Sequence, residues 1–186
     1  MAGIANVRDH RHGRDNKLHV WQVRASDEFI LDKTLPLDDA TAARKAPWLL
    51  HSLDVNALNF CAFAMCHLST PETPASSSEI LIATPGINDG AITLTTLPSQ
   101  TRHSTIPPPG STKTGMVMAL ALHASATSLQ LMAGYESGQV GLYQQTTSQP
   151  EWTLLSMAAP HSQPVLSLGL APVSYTHLTL PTKRIV

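Results

Sequence analysis

The residues best suited to bind a metal ion lie near the start of the sequence, in the segment DHRHGRDN at 9–16. Carboxylate and imidazole groups are common metal ligands. The segment offers both kinds, as Asp9, His10, His12 and Asp15. It leads directly into an alternating strand pattern, however, and the turn before that strand already explains Asp15. We therefore interpret the segment as a loop with solvated histidines and predict no metal site.

Cys61, Cys66 and the adjacent His67 form a second group of potential metal ligands. A structural zinc site needs four ligands, and the sequence contains no second pair of cysteines. Cys61 falls within an apolar run, where a buried thiol behaves as a small hydrophobic side chain. Core packing is therefore the preferred interpretation of these cysteines.

Patterns of catalytic residues are equally incomplete. The tripeptide RDN at 14–16 echoes part of a kinase catalytic loop, but neither a Gly-rich phosphate loop nor an Asp-Phe-Gly motif accompanies it. Ser137 lies in YESGQ, which lacks the G-x-S-x-G elbow of serine hydrolases and suits a turn. The sequence predicts no catalytic, cofactor-binding or metal-binding residue, and no cofactor.

Charge and hydrophobic patterning exclude several classes of partner. The net charge is −1, from 12 Lys+Arg against 13 Asp+Glu, and no basic stripe indicates direct binding to nucleic acid. No run approaches the roughly 20 apolar residues of a membrane helix, and residues 1–15 lack the apolar core of a signal peptide. The two cysteines are too few for a disulfide framework, which favours a reducing compartment, cytosol or nucleus.

Internal repetition is the most informative feature of the sequence. The segments HSLDVNALNF (51–60) and HSQPVLSLGL (161–170) align without a gap, and KTGMVMALAL (113–122) fits the same frame from Val117 onward. The matched valines are Val55, Val117 and Val165. These segments begin three successive repeat units.

A second pattern places a turn pair before an alternating run in three segments, RDNKLHVW (14–21), NDGAITLT (88–95) and ESGQVGLY (136–143). The turn pairs tolerate the positive φ angles of tight hairpin turns. Apolar residues then recur every second position, which indicates strands. The turn pairs are Asp15-Asn16, Asp89-Gly90 and Ser137-Gly138, and the alternating apolar residues are Leu18 and Val20, Ile92 and Leu94, and Val140 and Leu142.

Each unit thus contains four short antiparallel strands with a period near 50 residues, which is the sequence pattern of a β-propeller blade. The fourth strands are PWLL (47–50), RHSTI (102–106) and EWTLL (151–155). We predict an all-β partial propeller with about two complete four-stranded blades and parts of the two flanking blades. Its expected divisions within residues 1–171 are a blade end at 12–50, blades at 51–106 and 113–155, and the start of another at 161–171.

The segment GRDNKLHVW (13–21) gives the chain the appearance of a WD-repeat protein. Trp21 stands at the Trp position that closes the third strand of a blade, while Thr95 and Tyr143 replace that Trp in the next two blades. His51 and His161 occupy the place of the His in the Gly-His dipeptide of the repeat. In WD repeats such a His can join a hydrogen-bond network with the Trp, so the resemblance implies a structural role for both histidines.

Several longer segments resemble fungal ASTRA-associated protein 1 in collinear order. They are HGRDNKLHVWQV (12–23), PWLLHSLDVNALNFCAFAMC (47–66), ILIATPGINDGAI (80–92), KTGMVMALALH (113–123) and HSQPVLSL (161–168). The resemblance implies a WD-repeat propeller of about seven blades. It also implies a non-enzymatic scaffold subunit of the nuclear ASTRA complex, linked to chromatin remodelling and to the maturation of phosphatidylinositol-3-kinase-like kinases. The expected partners are other protein subunits of that complex.

Two alternatives remain open at the sequence level. A propeller enzyme or small-ligand binder would use carboxylates, histidines or metal ligands near its central channel. The predicted inner strands VNALNF, VMALAL and VLSLGL offer Asn56 and Asn59 but no Asp, Glu or His, which favours a scaffold without a small-molecule substrate. The second alternative is a truncated chain with no function of its own.

The last residues, VSYTHLTLPTKRIV (173–186), alternate like an edge strand but also resemble a translated transposase-end sequencing adapter. We expect residues 172–186 to be a non-native tail and the chain to be a fragment of a longer protein. Because residues 1–11 fit the family poorly, we further expect the amino terminus to be an internal methionine or the result of a faulty gene model.

Overall fold

A computed structural model describes residues 16–22, 48–56, 63–68, 79–110 and 113–170 of the chain. Within these ranges the protein forms ten β-strands and no helix. Accordingly, no described helix is long and apolar enough to cross a membrane. The strands are β1 (Lys17–Gln22), β2 (Trp48–Asp54), β3 (Ala64–Leu68), β4 (Glu79–Pro85), β5 (Ile92–Leu97), β6 (Thr101–Ile106), β7 (Val117–Ala124), β8 (Ser128–Tyr135), β9 (Val140–Thr146) and β10 (Gln149–Ala158).

The described strands form three antiparallel sheets, and within each sheet strands that are consecutive in the sequence lie side by side. Strands β1 and β2 form a two-stranded sheet, β3 to β6 a four-stranded sheet and β7 to β10 a second four-stranded sheet. We refer to these sheets as blade 1, blade 2 and blade 3. A succession of four-stranded meanders is the architecture of a propeller. The predicted all-β fold is confirmed, and the described residues form two complete blades and part of the blade before them. Residues 161–170, expected to begin the following blade, contain no strand.

Tight turns before β1, β5 and β9 set the positions of these three strands. The second residue of each turn pair has a positive φ angle: 58° at Asn16, 75° at Gly90 and 83° at Gly138. Glycine and asparagine adopt this conformation with little steric cost, whereas most residues do not. The turn pairs Asp89-Gly90 and Ser137-Gly138 therefore correspond to the turns before β5 and β9. Asn16 adopts the same kind of conformation directly before β1, while its predicted turn partner Asp15 lies outside the described residues.

Apolar residues on alternate positions pack the blades against one another. Leu18 and Val20 of blade 1 are buried against Ile82 and Leu97 of blade 2. A larger cluster joins blades 2 and 3, and its buried members are Ala64, Leu81, Ala83, Ile92, Leu94, Ile106, Val117, Leu120, Leu131, Ala133, Tyr135 and Tyr143. Because successive side chains of a strand point to opposite faces, blade 2 contributes one face to each interface.

The first strand of blade 2 differs from the strand expected at 55–60. Val55 and Asn56 lie outside any strand, residues 57–60 lie outside the described ranges, and the strand that pairs with β4 is β3. The apolar run from Val55 to Leu68 is long enough to hold a strand at several positions, so its pattern alone did not locate the pairing with β4. Strand β2 also extends past the expected PWLL as far as Asp54.

Candidate functional site

All four potential metal ligands near the start of the sequence, Asp9, His10, His12 and Asp15, lie outside the described residues, and so does Cys61. Cys66 lies on β3, half-buried against the cluster between blades 2 and 3. This burial raises the pKa of the Cys66 thiol to about 11. The thiol therefore stays protonated at neutral pH, which suits a packing role better than a nucleophilic one.

Two of the inner strands contain a histidine, although the segments predicted for these strands contained none. His67 lies on β3 and His123 on β7, because both strands run beyond the segments 55–60 and 117–122. Across the described part of the chain, no group of three or more His, Cys, Asp or Glu side chains could hold a metal ion. The inner strands therefore bring no cluster of metal-binding side chains together within this part of the chain.

His51 links two blades, a role that differs from the hydrogen bond to Trp expected within one blade. Its Nδ1 lies 2.9 Å from Nε2 of Gln100, in the turn between β5 and β6. Its backbone pairs with Val20 of blade 1, so the side chain reaches from blade 1 to blade 2. His161 is exposed, in the segment that follows β10.

Tyr143 takes the place of the Trp in blade 3 and forms a buried hydroxyl pair with Tyr135. The two hydroxyl oxygens lie 2.6 Å apart, with one hydroxyl donating to the other. Burial raises the pKa of Tyr135, which the hydrogen bond with Tyr143 raises further, and burial also raises the pKa of Tyr143. The pair satisfies two polar groups inside the core and ties β8 to β9.

A side-chain hydrogen bond joins the outer strand of blade 2 to the outer strand of blade 3. The indole Nε1 of Trp152 on β10 donates to Oγ of Ser104 on β6 at 2.9 Å. The ring also packs against the cluster between the two blades. Trp152 therefore fixes the separation of the two blades at their outer edge.

A cleft of about 470 Å³ opens between blades 2 and 3, beside the turns at one end of the sheets. Leu68, Leu129 and Ala124 form part of its apolar lining, while Glu79 and His103 line it with polar groups. Its volume falls within the range of small-ligand pockets. Among the residues that the structure describes, Glu79 is the one carboxylate in the lining.

Large apolar side chains are also exposed on the outer strands of the blades. Trp48, Leu49 and Leu50 are exposed on β2, and Leu154 and Leu155 are exposed on β10. Ile87, at the turn before β5, is 86% exposed. Exposed apolar groups at sheet edges are typical of surfaces that contact other proteins.

The chain is similar to ASTRA-associated protein 1 along most of its length. It is 44% identical to the protein of that name from Verticillium alfalfae over 176 residues, which cover 94% of this chain and 43% of the relative. The identity to its counterpart from Penicillium rubens is 42% over 187 residues, covering 87% of this chain and 42% of the relative. The resemblance to ASTRA-associated protein 1 is confirmed. The chain spans about two-fifths of the length of these relatives.

A shorter similarity supports the repeat class of the fold. The chain is 38% identical over 64 residues to WD repeat-containing protein 76 from Rhinolophus ferrumequinum, covering 34% of this chain and 10% of that protein. No family model matches the chain. Together with the four-stranded blades, this similarity identifies the fold as a partial WD-repeat β-propeller.

Proposed function

We propose that the chain contributes to a non-enzymatic scaffold of the ASTRA complex, acting through contacts with other protein subunits. The observation that carries the proposal is the 44% identity to ASTRA-associated protein 1 over 94% of the chain. Packed blades with exposed apolar outer strands agree with a role in protein contacts. Since the chain spans 43% of that relative, the proposal concerns the part of the scaffold built by these blades.

The proposal extends to the cellular role that the resemblance implies. It places the protein in the nucleus, where the assembly would act in chromatin remodelling and in the maturation of phosphatidylinositol-3-kinase-like kinases. Direct contact with nucleic acid is not expected, because the sequence has a net charge of −1 and no basic stripe.

Affinity purification from fungal cells tests this function. The tagged chain should retain the other ASTRA subunits, and a variant that breaks the interface between blades 2 and 3, Leu131→Asp, should lose them because Leu131 is fully buried in that interface. Thr105→Lys, on the exposed part of β6, serves as a matched control and should retain them. A folded chain that purifies without any ASTRA subunit would contradict the proposal.

A further inference from the structure

Strand β10 is the longest of the described strands. It contains ten residues and forms one end of its sheet, and its outer side pairs with no described strand. Eight of its ten residues are exposed, including Leu154 at 40% and Leu155 at 50%. Unpaired backbone groups along such an edge can hydrogen-bond to another extended chain.

Strand β6 occupies the same position in blade 2 and lacks these properties. It has six residues, and its exposed positions include Arg102 and His103. Short length and basic side chains are common means by which edge strands avoid pairing with other molecules. Strand β10 contains one charged residue, Glu151, which Trp152 and Thr153 separate from the exposed leucines. Of these two outer edges, that of β10 is therefore the better suited to pair with another chain.

The sequence of β10 is complementary to itself in the antiparallel direction. If a twofold axis passes between Leu154 and Leu155, each leucine lies opposite the other leucine of the second copy. Thr153 then lies opposite Ser156, Trp152 opposite Met157, and Glu151 opposite Ala158. Apolar residues thus oppose each other in the leucine pairs and in the Trp152–Met157 pair, and hydroxyls oppose each other in the Thr153–Ser156 pair, which are favourable cross-strand combinations. Glu151 faces Ala158 and so meets no like charge.

A bulge in β10 makes this pairing compatible with the faces of the sheet. In a regular strand, residues three positions apart point to opposite faces, so Thr153 and Ser156 could not oppose each other. In β10 they pair with Gln144 and Leu142, which lie two positions apart on β9 and therefore share a face. The extra residue, Leu155, shifts the alternation by one position.

A second pair of the proposed register, Trp152 with Met157, meets the same condition. Trp152 and Met157 both pack against the cluster between blades 2 and 3, so they too lie on one face of the sheet. The bulge thus places both members of each of these two pairs on a common face. The pairing of β10 with β9 and the self-complementary sequence of β10 therefore support the same register.

We propose that the outer edge of β10 is a homotypic interface, through which two copies of the chain pair antiparallel over residues 151–158. The contact joins the two sheets into one continuous sheet across a twofold axis. Such an isologous interface uses the same residues on both copies. An edge contact of this length is smaller than a standard protein interface, so the dimer is expected to form and dissociate reversibly with concentration.

Sedimentation velocity over a range of concentrations, with these blades in a protein as long as the ASTRA-associated protein 1 relatives, tests whether the chain dimerises through β10. In the Leu155→Lys variant, lysines of the two copies approach each other at the twofold axis, and the dissociation constant should rise at least about tenfold. Thr105→Lys places the same charge on exposed β6 and should leave dimerisation unchanged. A chain that stays monomeric, or a dimer that tolerates Leu155→Lys, would overturn the proposal.

Disulfide cross-linking tests which residues of the two β10 strands lie opposite each other. The cross-linked product can be measured in both the soluble and the sedimented fractions. In chains whose cysteines are replaced by Cys61→Ser and Cys66→Ala, one copy would carry Thr153→Cys and the other Ser156→Cys. Oxidation should join the two kinds of chain, with little joining of either kind to itself. Equal cross-linking in all three combinations, or preferential joining of Thr153→Cys chains to one another, would exclude the proposed pairing.

Discussion

The buried hydroxyl pair of Tyr135 and Tyr143 is the clearest case in which single side chains determine stability. The Tyr143→Phe variant removes one hydroxyl and leaves the other without its hydrogen-bond partner inside the core. We expect this variant to lower the free energy of unfolding by about 1–3 kcal/mol. The double variant Tyr135→Phe with Tyr143→Phe should lose less than twice that amount, because it leaves no unpaired hydroxyl. Chemical denaturation of the unaltered chain, of the single variants Tyr143→Phe and Tyr135→Phe, and of the double variant measures the coupling, and additive losses would contradict it.

The Cys66 thiol makes the free energy of unfolding depend on pH in the alkaline range. The folded pKa of about 11 lies above the ordinary value of 9.0, so folding favours the protonated thiol. Its contribution is fully present below pH 9 and is lost as the pH rises from 9 towards 11. Denaturation midpoints at pH 8, 9, 10 and 11 should therefore fall less steeply in Cys66→Ala than in the unaltered chain. Parallel curves for the two proteins would show that the thiol does not titrate differently in the folded state.

Residue identities alone did not reveal the tyrosine pair. Tyr143 was recognised as a replacement for Trp, but its partner depends on β8 and β9 pairing so that Leu131 lies opposite Tyr143. Tyr135 and Tyr143 then point to the same face, and the ring of Tyr143 lies over Gly141, which has no side chain. Such a contact follows from the register of two strands, which a sequence pattern specifies only after the turn is known.

At the scale of single elements, the turn between β8 and β9 offers the sharpest test of backbone conformation. Gly138 has a φ of 83°, and a β-carbon there would collide with the carbonyl oxygen of His161. Gly138→Ala should therefore cost more than about 1 kcal/mol of unfolding free energy. Gly110→Ala provides the matched control, since open space surrounds Gly110 and its φ is ordinary. Equal stability of the two variants, measured by thermal and chemical denaturation, would refute this explanation of Gly138.

The sequence located some strands more accurately than others, because their residue patterns differ in how strongly they constrain the chain. Turn pairs and strict alternation located β5 and β9, because a glycine with positive φ and a period of two constrain the chain locally. The inner strand of blade 2 was placed too early, because the apolar run around Phe63 continues past the expected strand. The role of His51 as a link to Gln100 depends on contacts between blades, which no local pattern contains.

Across the whole molecule, equivalent residues of successive blades differ in burial. Leu18 and Val20 are buried against blade 2, and Ile92 and Leu94 are buried against blade 3. Val140 and Leu142, the corresponding residues of blade 3, are only half-buried. Each blade thus covers the apolar face of the blade before it, and the face of blade 3 that carries Val140 and Leu142 has room for the same kind of cover.

This difference predicts how stability depends on chain length. A protein as long as the ASTRA-associated protein 1 relatives should cover the half-buried face of blade 3, and full burial of Val140 and Leu142 would add on the order of 1 kcal/mol each. We therefore expect residues 1–186 alone to be poorly soluble or partly unfolded and the longer protein to unfold cooperatively at higher denaturant. Deleting residues 173–186 is the control and should leave stability unchanged. The prediction fails if residues 1–186 form a soluble monomer that melts as sharply, and at the same midpoint, as the longer protein.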